Sequence, residues 1–410
     1  MGSVAERNII SMKNYLNRKS IALFIASFWT YQRYLSGVLL ANFFATFSDL
    51  SQNTVLLLYT VPTLLAAATA FALAPFMKRI SKKMVICSGL LLIIVAGVII
   101  EVTGGTNFAL TLCGTSFTGI GFALVYNGTN IALTDMFPDK AGTAIAINNA
   151  VGCLGNMIIM AAGGVLAKGG DWTHSYWLCF PTIICFIIFV AMYREEKHVP
   201  IEQGNESTES TVEKKLSFSG RSFGLFIAVL VCQIGVILYN NIWNANSAVY
   251  VITEKQFGTT VEVGMLSSIA SAASLVGGFV LAGLLIPRLK QRSVPVSMVF
   301  MLPLCIAASM GCKSVPVFYI FMFISSMFGA IVFAENYAAA GKLMGPSGVT
   351  LINGVQSVAA FLAPYIANFI GSFGDGTTHI KFVAAVIIAV IGVVVSVIVM
   401  PKVAKINTEQ

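Results

Sequence analysis

From Ser20 onward the chain is a succession of apolar runs, each roughly 20 to 30 residues long, separated by short polar turns. Twelve stand out, at about 20–47, 52–75, 84–102, 107–134, 142–167, 175–193, 221–252, 262–287, 294–312, 315–340, 348–373 and 380–400. A hydrocarbon core about 30 Å thick is crossed by about 20 helical residues, so each run is long enough to span a bilayer. Only 10% of residues are charged and 57% are hydrophobic, with a mean hydropathy of +0.84. Soluble domains carry about 25% charged residues. The expectation is an all-α, multi-pass membrane protein of twelve transmembrane helices. Residues 1–19 are polar and basic, and the first apolar run is too long for a signal segment, so it is expected to stay as an anchor.

The net charge of +8 invites a nucleic-acid reading, but its placement gives another. Twelve spans put both termini on one side. On that side fall 20 of the 25 Lys and Arg residues, against four opposite: Lys168, Lys255, Lys313 and Lys381. By the positive-inside rule both termini are cytoplasmic, in an inner or plasma membrane. The basic charge is then a topology signal, with the lipid bilayer as partner and no nucleic acid.

Enzyme chemistry finds no footing. The eight cysteines include no Cys-x-x-Cys pair and read as inert thiols in helices. Three histidines (His174, His198, His379) lie in loops without metal-ligand spacing, and no Gly-x-x-x-x-Gly-Lys-Ser/Thr loop is present to drive transport with ATP. No catalytic residue, metal or cofactor is therefore expected.

The polar stretch 194–220 has no apolar stripe and reads as a flexible cytoplasmic linker between six-span halves at 1–193 and 221–410. The halves echo one another. Leu23-Phe-Ile-Ala26 recurs as Leu225-Phe-Ile-Ala228, Asn42 falls on Asn244 at that offset, and the basic loop Lys78-Arg79-Ile-Ser-Lys-Lys83 matches Pro287-Arg288-Leu-Lys-Gln-Arg292. Repeated halves are a plan of secondary transporters, with the binding site between them near the midplane.

Six plus six spans, a long polar centre and basic loops after spans 2 and 8 together resemble the major facilitator superfamily. The loop 2–3 signature of that family, Gly-x-x-x-Asp-Arg-x-Gly-Arg-Arg, survives here only in its basic part: Arg79, Lys82 and Lys83 are kept, while Ala74 and Lys78 replace the glycine and the acid. The second copy keeps Gly283, Arg288 and Arg292. Gly119-Ile-Gly121 matches a span 4 motif of proton-coupled members, with Thr115 where they carry arginine, and span 5 lacks the Gly-Pro pair of drug antiporters. The turn Phe137-Pro-Asp-Lys-Ala-Gly142 is similar to that of the oxalate/formate and monocarboxylate-type branches. The resemblance implies alternating access, spans 1, 4, 7 and 10 around a cavity, spans 2, 5, 8 and 11 along the seam between halves, and gating roles for Arg79 and Arg288.

Arg33 is the charge that needs explaining. In a continuous helix from Ser20 it lies roughly 20 Å along, near the bilayer centre, where charges are costly and mark function. Trp29 and Gly37 would share its face. It serves either as a substrate or coupling group, its planar fork suiting a carboxylate, or as a lock between helices. Glu335, the carboxylate well inside span 10, is the candidate proton carrier, or else a paired structural acid. Aligning Pro138 with Pro346 sets Asn127 opposite Glu335, so Tyr126, Asn127 and Asn130 form a matching patch. Asn240 and Asn244 lie one turn apart in span 7, as cavity wall or interhelical glue. Asn148, Asn149, Asn353 and Gln356 read as packing or capping groups. Small residues (Gly264, Ser267, Ser271, Ser274, Gly278 and Ala282 in span 8; Gly152, Gly155 and Gly163 in span 5) fit a close seam. Asp135 is expected to pair with Arg79 or Lys78. Pro303 and Pro364 are expected to kink their helices.

The function expected is a monomeric secondary transporter moving a small organic anion by symport or antiport, with protons or a counter-substrate. The alternatives are a multidrug or organic-cation exporter, with Glu335 as the substrate contact, and a non-transporting membrane sensor.

Overall fold

A computed structural model describes residues 17–73, 80–137, 141–194, 220–289, 292–374 and 377–406. Among them there is helix and no strand, as the long apolar runs dictate: in lipid a single chain satisfies its backbone polar groups most simply within helices. The helices are α1 (Arg18–Phe28), α2 (Leu35–Val38), α3 (Leu40–Thr46), α4 (Gln52–Val55), α5 (Leu57–Leu73), α6 (Lys82–Thr103), α7 (Phe108–Met136), α8 (Ala141–Leu166), α9 (Thr182–Met192), α10 (Arg221–Ala248), α11 (Thr260–Val276), α12 (Ala282–Leu289), α13 (Ser293–Met301), α14 (Pro303–Ser309), α15 (Val315–Gly371) and α16 (Thr378–Ile406). Among the described residues nine helices are long and apolar enough to cross a membrane, and the shorter stretches Thr260–Val276 and Ser293–Ser309 are apolar too.

The bundle has two ends. At one, Arg18 donates to the Ala191 carbonyl (3.2 Å) and Lys82 pairs with Asp135 (2.8 Å). At the distal end Trp172 donates to Thr46 (2.9 Å), Phe47 packs on Phe108, Tyr250 donates to the Cys312 carbonyl (2.7 Å) and Glu254 accepts from Thr378.

Several boundaries depart from the hydropathy reading. The first span is broken: α1 stops at Phe28, Trp29 leaves the helical region (φ −117°, ψ 53°), and Gln32–Tyr34 resume as a single 3-10 turn before α2. Phe28-Trp29-Thr30-Tyr31 is a run of aromatic and β-branched residues, weak helix formers. The break is patched from the side, since Gln32 Nε2 donates to the Trp29 and Leu178 carbonyls (3.1 and 3.0 Å) and Thr30 Oγ1 to the Ser27 carbonyl (3.1 Å). The sixth span likewise begins as 3-10 turns at Trp172–Cys179 and becomes α-helix after Pro181. Pro303 divides α13 from α14, as expected, and the Tyr239 hydroxyl bridges the division: it donates to the Met301 carbonyl (2.5 Å) and accepts from Cys305 N (3.3 Å). Pro364 leaves the helical run unbroken.

Helical backbone continues from Val315 to Gly371 without the gap expected near 341–347. This is no straight rod. Gly348 lies against the carbonyl of Ala340, eight residues earlier, where a straight helix would separate them by about 12 Å. Tyr337 also reaches Gln356 (2.7 Å). The chain therefore folds back near 344–348 into two arms.

The seam between the segments before and after residue 220 is closest where α8 meets α11. A Cβ on Gly264 would lie 2.5 Å from the Met160 carbonyl oxygen and 2.9 Å from Gly164 Cα, so backbone rests on backbone. Asn156 donates to Ser271 across the same seam (2.7 Å). Gly152, Gly155 and Gly163 do not take part: they admit Tyr31, Phe28 and Leu35 of the broken first span. The expected seam is present, carried by Gly164 rather than by those three.

Candidate functional site

The break in the first span sets the site. Because α1 ends at Phe28, Arg33 is carried on the 3-10 turn and its side chain meets aromatic rings. Its guanidinium carbon lies 3.9 Å from the Phe122 ring centroid and 4.4 Å from that of Tyr34, with Nη2 donating to the Tyr34 hydroxyl. The rings form two stacks. Tyr31 lies on Tyr34 (6.0 Å, 16°) and Phe122 on Tyr126 (5.4 Å, 14°), and the stacks meet nearly at right angles (Tyr31–Phe122, 72°). The quadrupoles of such rings attract a cation to their faces.

Arg33 Nε is buried with no acceptor, and no carboxylate pairs with Arg33 among the described residues. A buried donor left unmade costs about 1–3 kcal/mol. Tyr34 is 40% exposed. The Tyr126 hydroxyl is within hydrogen-bonding reach of Asn130 and Asn149, and Asn149 Oδ1 is a second buried atom without a partner.

The far segment closes in from two sides. Tyr59, against Gly37, donates to Asn241 of α10 (3.3 Å), and Tyr337 of α15 lies close to Tyr126. Thr60 bonds Tyr365 (2.9 Å), and nearer the distal end Asn368 donates to Asn53 (3.0 Å). Lys381, buried, donates to Asn368 (2.8 Å) and Asn246 (3.2 Å) beside a pocket of about 270 Å³ between the two segments.

Of the expected site residues, Arg33, Tyr126 and Asn130 are brought together. Trp29 is not on the face of Arg33, because the break turns it away and its indole N–H binds the Leu178 carbonyl (2.8 Å). Asn127 folds back on its own helix, donating to the Ala123 carbonyl (2.7 Å). Asn244 is exposed and Asn240 half-buried; the span 7 amides that make contacts are Asn241 and Asn246. Glu335 is half-buried and accepts from Ser293 of α13 (3.2 Å), with no bond to Arg33. Asp135 pairs with Lys82, whose place on the first turn of α6 brings it beside the end of α7; Lys78 and Arg79 lie outside the described residues. Arg288 is exposed near the end of α12. Tyr31, Tyr34, Tyr59, Phe122, Asn149 and Asn241 join the site without having been expected there. The one local signal for them is that Tyr31 and Tyr34 flank Arg33.

Two amide links repeat. Asn148 donates to Thr129 (3.3 Å) and Tyr337 to Gln356 (2.7 Å), and adding 208 to positions 129 and 148 gives 337 and 356. Asn336 and Gln233 extend the second link (2.9 Å), as Ser27 extends the first (3.1 Å).

Among solved structures, a bacterial homolog of the human lysosomal transporter Spinster, in an inward-facing and unoccupied conformation, is similar over 94% of this chain and 97% of its own. The TM-score is 0.72 at 17% identity. The same homolog in its occupied conformation gives 0.70 at 16%, over 93% and 96%. A peptide transporter, solved as a point mutant in complex with alafosfalin, gives 0.73 at 12%, over 94% and 95%. No curated protein sequence is significantly similar to the chain. Residues 21–347 match the sequence profile of the Major Facilitator Superfamily. With most of its length so matched and its long apolar helices in this fold, the chain is a multi-pass integral membrane protein belonging to the Major Facilitator Superfamily of transporters.

Proposed function

We propose that the protein is a secondary transporter that carries a small organic anion by alternating access, with Arg33 as the anion site. The carrying observation is the buried Arg33 Nε–H without an acceptor, on a guanidinium that no described carboxylate neutralises. In this reading twelve spans form two six-helix halves at 1–193 and 221–410, joined by the 194–220 linker. The repeated amide links at a constant offset support that division. The termini are cytoplasmic, in the inner or plasma membrane. The distal end, where Asn53, Asn368 and the Gly164–Gly264 contact join the halves, is the closed outer side.

Transport is driven by protons or by exchange. Glu335 is the proposed proton carrier, acting from beside Ser293 rather than as a partner of Arg33. Arg79 and Arg288 belong to the basic loops at the cytoplasmic mouth. In reconstituted vesicles, Arg33→Ala abolishes anion uptake in a protein that remains monodisperse. Unchanged uptake in that variant refutes the assignment. Glu335→Gln leaves anion exchange intact and removes acceleration by an inward proton gradient; acceleration that persists rules Glu335 out as the carrier.

A further inference from the structure

We infer that the Arg33 site selects a monocarboxylate whose body is a flat unsaturated ring, over saturated acids and over dianions. The inference rests on the reading of Arg33 as the anion site and adds to it the chemical class of the cargo.

The charge requirement comes from what surrounds the guanidinium. Among the described residues, Arg33 is the charged side chain that acts on the Tyr31, Tyr59 and Tyr126 hydroxyls. Its ring contacts are Phe122 and Tyr34, both uncharged. One carboxylate is balanced by one guanidinium. A second negative charge would enter a low-dielectric aromatic setting with no further cation among the described residues to meet it, a strongly penalised arrangement. The guanidinium carbon lies over the Phe122 and Tyr34 rings, and Nε–H is the unfilled donor. A carboxylate supplies two coplanar oxygens for a guanidinium edge; Arg–carboxylate pairs are commonly bidentate for this reason.

The shape requirement comes from the stacks. Tyr31 on Tyr34 and Phe122 on Tyr126 make two walls, nearly perpendicular, with the guanidinium in their corner. Tyr34 is the wall member with open surface, at 40% exposure. Aromatic rings associate in offset-stacked or edge-on pairs with centroids about 4.5–7 Å apart, the spacing already used within each stack. A ring attached to the carboxylate extends a stack from the open side of Tyr34. A saturated ring of equal size covers the same area but has no quadrupole to align, and a short aliphatic acid leaves the wall uncovered.

The test uses the full chain in vesicles at neutral pH with four probes: benzoate, cyclohexanecarboxylate, propionate and isophthalate. Binding is read by competition against labelled benzoate and by direct calorimetry. Benzoate should exceed cyclohexanecarboxylate by about 2- to 10-fold and propionate by more, with isophthalate weakest. Tyr34→Leu should remove the preference of benzoate over cyclohexanecarboxylate. Cyclohexanecarboxylate or isophthalate binding as well as benzoate overturns the inference. If every probe loses binding in Arg33→Ala but none is preferred, the selectivity fails and the anion site stands. If Arg33→Ala binds all four as the wild type does, or if the wild type binds none, both fail.

Discussion

Replacing Gly264 with alanine should tilt the protein toward opening at the distal end. Ordinary van der Waals contact begins near 3.4 Å, and the added methyl would stand 2.5 Å from the Met160 carbonyl oxygen and 2.9 Å from Gly164 Cα. The deficits are about 0.9 and 0.5 Å. Both obstructing atoms are backbone, so no side-chain rotation relieves them and α8 must back away as a body. Overpacking of this kind costs about 1–3 kcal/mol. Under the proposed cycle the cost falls on the arrangement with the distal ends together and disappears when they part. The equilibrium should therefore move by roughly 5- to 150-fold toward the distal-open form. Spin labels at Leu50 and Phe373, exposed on opposite sides of the seam, report the change as a new long-distance population in a background with native cysteines replaced. Gly278→Ala is the control, since a Cβ there meets nothing within 4 Å. A distance distribution for Gly264→Ala that matches wild type, in protein of normal melting temperature, refutes the seam as a moving contact. So does an equal shift in Gly278→Ala.

Other consequences are as direct. Asn368→Leu removes one of the two acceptors of Lys381 and the donor to Asn53, and thermal unfolding in detergent should show a loss of about 1–3 kcal/mol. Asp135→Asn should cost less than about 1 kcal/mol in the same assay, because the carboxylate paired with Lys82 is 56% exposed and water screens it. Asp171, in the loop before the 3-10 turns at Trp172, accepts from Thr173 Oγ1 and N, which hold its carboxyl below the usual range. A depressed value in the folded protein stabilises above the unfolded value near 3.8 and ceases to do so as pH falls through the folded one. The melting gap between wild type and Asp171→Asn should therefore close as pH falls below the unfolded value.

Most of the architecture is legible in the sequence because lipid leaves few options. Apolar length fixes a span, and basic residues sort to one side. Arg33 is legible for the same reason, as the charge inside the first apolar run. The residues around it are not. Helices apolar on all sides carry no stripe to tell which face turns inward, so nothing local favours Asn241 over Asn240 or Asn244. The break after Phe28 depends on Gln32 reaching Leu178, 146 residues along the chain, and no local propensity encodes that contact. A helix taken as continuous puts Trp29 on the wrong face and hides Tyr31 and Tyr34 as a binding surface. Asp135 pairs with Lys82, and the expected partners Lys78 and Arg79 lie outside the described residues.

A continuous helix transmits torsion: turn one end about its axis and the other follows. At Trp29–Gln32 the helical ladder gives way to side-chain bonds from Gln32 and Thr30, so torque applied at the Arg18 end is not handed on to Leu35. Phe28 is fixed against Gly155 and Leu35 against Gly163 of the same helix α8, while Arg33 rides on the joint between them. Joint and charge sit on the same few residues, so a ligand gripping Arg33 would take hold of this span at the place where its helical ladder is interrupted.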